Sequence, residues 1–172
     1  RADVAVQPIR GSVDTRLRKL DEGQFEAIVL AAAGLNRLGW AHRIAEHLPV
    51  DIMCPAVGQG SLAIETRADG GNAMEACLRL NDAVTNACIT AERAVLSELG
   101  GGCQVPVGAH ATIRGGQLHV RGVVVSPDGS MLIRREAEGS PGDAVEVGTA
   151  LGRTLLDSGG RDILAVVYGH AG

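Results

Sequence analysis

Cys103 stands directly behind three glycines, Gly100 to Gly102, and ahead of the run VPVGAHATI. Glycine lacks a Cβ and reaches φ > 0 freely, so this stretch can turn sharply and let a bulky group approach the backbone. The simpler reading is a helix cap followed by a strand. The chemical reading is a thiol held on a loop because something is to be bonded to it. A helix ending just before Cys103 would turn its negative dipole end toward the thiol and raise its pKa. That setting serves a repeatedly acting redox or acyl-transfer nucleophile poorly, since such a cysteine wants a nearby histidine or a positive helix terminus. A permanent thioether anchor needs only one activated encounter.

Three arginines stand out by setting: Arg10 and Arg16 in RGSVDTR, and Arg37 in AGLNRLG. Ligands of α/β folds collect at the carboxyl ends of strands, where Arg10 and Arg16 are expected. Arginine pairs with carboxylates in bidentate fashion, so a convergence of these side chains would select a polycarboxylate. The PAVGQG turn, with Gln59 and Gly60, offers backbone N–H groups to an anion but lacks the P-loop pattern. Glu92 and Arg93 lie side by side on a long helix; a solvated pair is the simpler reading, and it is the one taken for Glu92. His110 and His119 fall in strand candidates and read as packing or surface residues. Cys54, Cys77, Cys88 and Cys103 show no CxxC spacing and no metal-ligand interval with a histidine, and neither a Ser-His-Asp nor an HExxH arrangement is present. No metal is expected.

The elements that must position these residues change character along the chain. Val4 to Ile9 reads as a strand, followed by a short basic helix capped by Ser12 or Asp14 and stopped at Gly23. FEAIVLA reads as a buried strand, and AAGLNRLGW and AHRIAEHL as helical segments. Pro49 to Pro55 is a connector, and PAVGQGSLAIETR a turn leading into a strand. This alternation is that of an α/β layer. Asn81 can cap a long helix whose positions Val84, Ala87, Cys88, Ala91, Val95 and Leu99 recur at helical spacing, which puts Cys88 on the core side. VPVGAHATI, LHVRGVVVS and MLIRREAEG then read as three strands joined by the turns RGGQ and SPDGS. Asp143 opens a helix to Leu156, and SGGRDILAVVY closes in a strand-like or terminal segment. Hairpins flanked by helices are an α+β pattern, so a domain boundary is expected between Asp69 and Asn81.

The 172 residues suffice for one ordinary domain or two small ones, and 45% hydrophobic content with 2% aromatic implies a core of Val, Leu, Ile and Ala. A net charge of −4 argues against nucleic acid as a partner of the whole surface. No apolar run reaches the roughly 20 residues of a membrane helix, so no membrane partner is expected. Cysteine use and the lack of a secretory segment point to a reducing cytoplasm. A chain that begins at Arg1 and enters at once on VAVQPI reads as the middle of a longer polypeptide.

Four segments, RGSVDTRL, AAAGLNRLG, PAVGQGSLAIETR and AERAVLSELGGGCQVPVGAHA, together with SPDGS and the ending ILAVVY, resemble in order and spacing the signatures of the porphobilinogen deaminase (hydroxymethylbilane synthase) family. The resemblance implies part of a periplasmic-binding-protein-like α/β domain followed by a small α+β domain with a three-stranded antiparallel sheet and flanking helices. It divides the chain into residues 1–54, the later part of a second α/β domain; 55–80, a hinge and a strand returning to the first domain; and 81–172, the C-terminal α+β domain. It implies dipyrromethane linked to Cys103 by a thioether, with Arg10 and Arg16 toward that cofactor. It also implies substrate contacts by Arg37, Arg93, Gln59 and Gly60. The implied reaction deaminates porphobilinogen to an azafulvene, which the free α-carbon of the terminal pyrrole attacks. Four units are added before hydrolysis to 1-hydroxymethylbilane. Each pyrrole carries an acetate and a propionate, so the growing polypyrrole accumulates the negative charge that arginines would balance.

The family's essential aspartate and its neighbouring lysine lie upstream of the matching segments, and neither Asp14 nor Lys19 is a substitute. No catalytic residue is therefore assigned in this chain. The 172 residues alone are expected to be inactive without the missing N-terminal half, and a monomer is expected. The competing reading is a non-catalytic α/β module that binds an anionic metabolite through Arg10, Arg16 and Arg37. It leaves Cys103 idle, so alkylating that thiol would not disturb binding.

Overall fold

The structure, a computed structural model, describes residues 3–102 and 105–169. Its contacts divide the chain into two units, Arg1–His47 and Leu48–Gly172.

In the first unit, helix α1 spans Val13–Asp21 and α2 spans Ala32–Arg37. The Ser12 hydroxyl accepts from the Thr15 N–H at 3.3 Å, so of the two expected caps it is serine that satisfies an orphan donor of the first turn. Gly23 follows the helix at φ +73°, the left-handed conformation a chain uses to leave a helix. Leu17 and Leu35 are buried, and α2 lies against the start of α1, with Gly34 facing Val13. Of the helical segment expected over AHRIAEHL only one turn forms, at Ala41–Arg43.

The expected strands at 4–9 and 25–31 do not form, nor does the one after the PAVGQG turn. A strand has no hydrogen bonds of its own, and these segments have no ladder partner among the described residues. Their apolar side chains stay uncovered: Val6 is 90% exposed, Val29 65% and Leu62 75%.

The second unit begins irregularly, passes through a short helix α3 (Asn72–Leu78) that the sequence reading missed, and then forms α4 over Ala83–Glu98. The cap of α4 is Asp82 rather than Asn81: Asp82 Oδ1 accepts from the Thr85 N–H at 2.7 Å. Three strands follow, β1 (Val107–Arg114), β2 (Gln117–Val125) and β3 (Leu132–Gly139), paired antiparallel in the order β1-β2-β3. Both expected hairpins form, with Arg114 opposite Gln117 and Val125 opposite Leu132. Helix α5 (Ala144–Leu155) starts after Asp143. The closing segment, expected to be strand-like or terminal, is instead helix α6 (Arg161–Gly169), turned away from α5 at Gly159 with φ +107°. Its apolar Ile163 and Leu164 are buried side by side with α5 and the sheet rather than alternating across a sheet face.

Period-2 alternation sets the sheet's two faces. Leu118, Val120 and Val124 of β2 point into a core shared with Ala91, Val95 and Leu99 of the α4 segment and Leu151 and Leu155 of α5. His119 and Arg121 point the other way, where His119 pairs with Glu138 at 2.8 Å and Arg121 with both Glu136 and Asp51. Helices therefore cover one face of the sheet, and a charge-balanced face remains on the other. The helix layer is close because Gly148 and Gly152 of α5 admit α4 at backbone distance: a Cβ on Gly148 would overlap the Ala91 carbonyl oxygen.

Candidate functional site

The loop that leads to Cys103 is built by the end of α4. Gly100 donates to the Ser97 carbonyl at 3.2 Å and Gly101 to the Leu96 carbonyl at 2.9 Å, the two closing bonds of a Schellman cap. Gly100 takes φ +95°, and Gly101 and Gly102 continue at +55° and +143°. A side chain at Gly100 would strain this turn, which accounts for the first glycine. The loop is exposed from Gly100 to Gly102, and a Cβ on Gly101 would meet nothing within 4 Å. Cys103 itself lies outside the described residues. The buried stripe of α4, from Cys88 through Ala91 and Val95 to Leu99, fixes where the glycine loop emerges.

Of the remaining candidates, Arg10 and Arg16 are brought together with Lys19. Arg16 Nε donates to the Gly11 carbonyl at 2.8 Å and Lys19 Nζ to the Arg10 carbonyl at 3.1 Å. The Arg10–Gly11 bend is thus held by two cations of α1, Arg16 and Lys19. Arg37 closes the exposed last turn of α2 in the same unit. In the second unit Arg93 is exposed on α4. Gln59 and Gly60 occupy a turn in which Gln59 donates to the Ala56 carbonyl at 3.0 Å and Ser61 to the Gly58 carbonyl at 3.2 Å. Gly60 needs φ +89° there. None of these residues lines the open concavity of about 410 Å³ on the polar face of the sheet, which is walled by His110, Arg121, Glu136 and their neighbours.

Glu92 corrects the sequence reading. It is 4% exposed, not solvated, while the adjoining Arg93 faces solvent. Its Oε2 accepts from the Gly58 N–H at 2.8 Å and its Oε1 from the Ala111 N–H at 2.9 Å, with His110 Nδ1 3.8 Å from Oε1. Burial pushes the carboxyl pKa up, and the two backbone donors and His110 act against that rise. The spacing carried the signal: Glu92 lies four residues after Cys88 and three before Val95, inside the apolar stripe. Cys54 precedes the turn that holds Gly58, and burial raises its thiol to about 11, which keeps it protonated at neutral pH. Burial likewise raises Cys88, consistent with its place in the core. Among the described residues no group of three or more His, Cys, Asp or Glu side chains could hold a metal ion. No helix among them is long and apolar enough to cross a membrane.

The second unit is therefore a small α+β domain whose long helix delivers a glycine-capped loop to a cysteine. Comparison with known families gives this architecture its place. A family model described as porphobilinogen deaminase, dipyromethane cofactor binding domain, matches residues 1–75, and one described as porphobilinogen deaminase, C-terminal domain, matches residues 86–157. A curated porphobilinogen deaminase of Syntrophobacter fumaroxidans is 47% identical over 169 residues, 98% of this chain. The chain belongs to the porphobilinogen deaminase family. It spans 54% of the length of that relative.

Proposed function

We propose that this chain is the cofactor-bearing part of a hydroxymethylbilane synthase of tetrapyrrole biosynthesis. The enzyme condenses four molecules of porphobilinogen head to tail with loss of four ammonia, and adds water to release 1-hydroxymethylbilane. The observation that carries this reading is the exposed, Schellman-capped glycine loop opening onto Cys103, in a chain that matches both family models. Dipyrromethane, joined to the Cys103 sulfur as a thioether, would supply the pyrrole α-carbon at which the chain grows. The chain's own residues contribute charge. Arg10 and Arg16 bind carboxylates of the cofactor and the first units, and Arg37 binds the acetate or propionate of incoming substrate. Arg93, Gln59 and Gly60 face the same polypyrrole. Lys19 is given to the Arg10 carbonyl and steadies that bend instead of handling substrate.

The first unit is proposed as the later part of a periplasmic-binding-protein-like α/β domain, residues 55–80 as a hinge and returning strand, and 81–172 as the C-terminal domain. The uncovered apolar segments at 4–9, 25–31 and 61–66 favour this, because each has the composition of a strand and pairs with no strand among the described residues. The remaining portion of a relative nearly twice as long would supply those neighbours and the catalytic aspartate. The chain alone is therefore inactive, and the assembled enzyme acts as a cytoplasmic monomer.

Intact-mass measurement of the chain and of Cys103→Ser, both produced together with the remaining segment of the S. fumaroxidans relative, tests the assignment. The expected result is an added mass of two linked pyrrole units that disappears in the variant. The complemented chain should also convert porphobilinogen to hydroxymethylbilane where the chain alone does not. A bare polypeptide mass with no turnover in the complemented sample would refute the reading.

A further inference from the structure

We propose that Glu92 is a positioning residue: by accepting the Gly58 and Ala111 N–H groups it fixes the turn bearing Gln59 and Gly60 to the helix that also carries the Cys103 loop. The substrate side of this inference rests on the function proposed above; the clamp itself rests on geometry alone.

Glu92 is the buried charged side chain of the described core, and both of its oxygens are occupied by donors far away in sequence. Gly58 belongs to the PAVGQG turn and Ala111 to β1, so one carboxylate joins three elements. The neighbouring segment is attached as well: Ala109 donates to the Pro55 carbonyl at 3.1 Å, Val57 packs on the core, and Asp51 pairs with Arg121. Gly108 is required by this closeness, since a Cβ there would lie 2.8 Å from the Pro55 carbonyl oxygen. The turn therefore moves with α4 and the sheet.

The chemistry calls for a carboxylate. The two N–H donors reach separate oxygens, Gly58 on Oε2 and Ala111 on Oε1; glutamine keeps one oxygen and would set its NH₂ against the other donor. Aspartate is shorter by one methylene and cannot span both. The same helix ends at Glu98, and its rise of about 1.5 Å per residue puts the Leu99 cap about 10 Å beyond Glu92. One rigid element thereby sets the offset between the turn and the loop that leads to Cys103.

Amide hydrogen exchange and amide proton shifts of the 172-residue chain test the clamp, read at Gly58 and Ala111 against Val120 and Val124 in the centre of β2. In the wild type both amides should be protected and shifted downfield, as donors to a carboxylate are. In Glu92→Gln and Glu92→Asp at least one should lose about tenfold or more in protection while β2 keeps its own. A wild-type Gly58 amide that exchanges like a free loop, or variants in which β2 loses protection equally, would overturn the clamp. With the complemented chain, Glu92→Gln should raise KM for porphobilinogen several-fold more than it lowers kcat. An unchanged KM with a lowered melting temperature would reduce Glu92 to a structural residue. If the complemented wild type neither carries the pyrrole mass nor turns over, the functional reading falls, and exchange still decides the clamp.

Discussion

Replacing Gly148 with alanine should destabilise the protein, although alanine is the better helix former. Gly148 lies in the middle of α5, where the change would add about 1 kcal/mol of intrinsic helix preference. Its new Cβ would overlap the Ala91 carbonyl oxygen and stand 2.7 Å from Ala94 Cβ. Ordinary contacts lie at ~3.5–4.0 Å, so the helices would have to part by about 1 Å. Both obstacles are fixed by the α4 backbone, and no rotamer change relieves them. Overpacking costs about 1–3 kcal/mol, and an immovable carbonyl puts this site at the upper end. The net loss is about 2 kcal/mol, which at ~2–4 °C per kcal/mol lowers the melting temperature by about 4–8 °C. Thermal melts followed by circular dichroism would measure it. Ala150→Gly, at an exposed position of the same helix, is the control and should lose about 1 kcal/mol through propensity alone. A Gly148→Ala protein that melts at or above the wild type would refute the argument that α4 and α5 meet at backbone distance.

Two predictions concern pH. Burial raises the folded-state pKa of Glu92, so between its ordinary value and that raised value the folded chain holds more proton than the unfolded one. Wild-type stability should therefore fall relative to Glu92→Gln as pH rises from about 4.5 toward neutral; denaturant titrations at several pH values would show a flat difference if the carboxyl were solvated. Asp128 behaves oppositely. The Ser126 hydroxyl, the Ser130 N–H and the Ser130 hydroxyl hold its carboxyl down at about 2. Its support of the SPDGS turn is complete above the ordinary aspartate range and is lost as pH falls through about 2. The Ser130 amide shift should follow that titration, and a midpoint at the ordinary value would contradict the hydrogen bonds that define the turn.

The legible parts of the sequence were those in which a few adjacent residues decide the conformation. Ser12 ahead of Val13 caps a helix by reaching its own first turn, and RGGQ and SPDGS close hairpins between neighbouring alternating runs. GGG after Leu99 supplies the positive φ values that end α4. The family signatures were readable for the same reason, being short runs of fixed spacing. The strands expected at 4–9 and 25–31 failed because a strand is completed by a neighbour that no local pattern guarantees. The final helix was misjudged because ILAVV is apolar enough for either element, and packing against α5 and the sheet chose between them.

The site divides along the same line. Sequence alone determined that Cys103 follows three glycines, that Arg10, Arg16 and Arg37 lie in segments resembling the family's signatures, and that α4 has an apolar stripe. Spacing alone puts Glu92 within that stripe; only the tertiary structure decided that its charge is buried there. Residue type argued for solvent, and the argument failed because two backbone donors, from segments 34 and 19 residues away, converge on its oxygens. A charge can be buried only where such partners are brought to it, and bringing distant segments together is what the packed fold does.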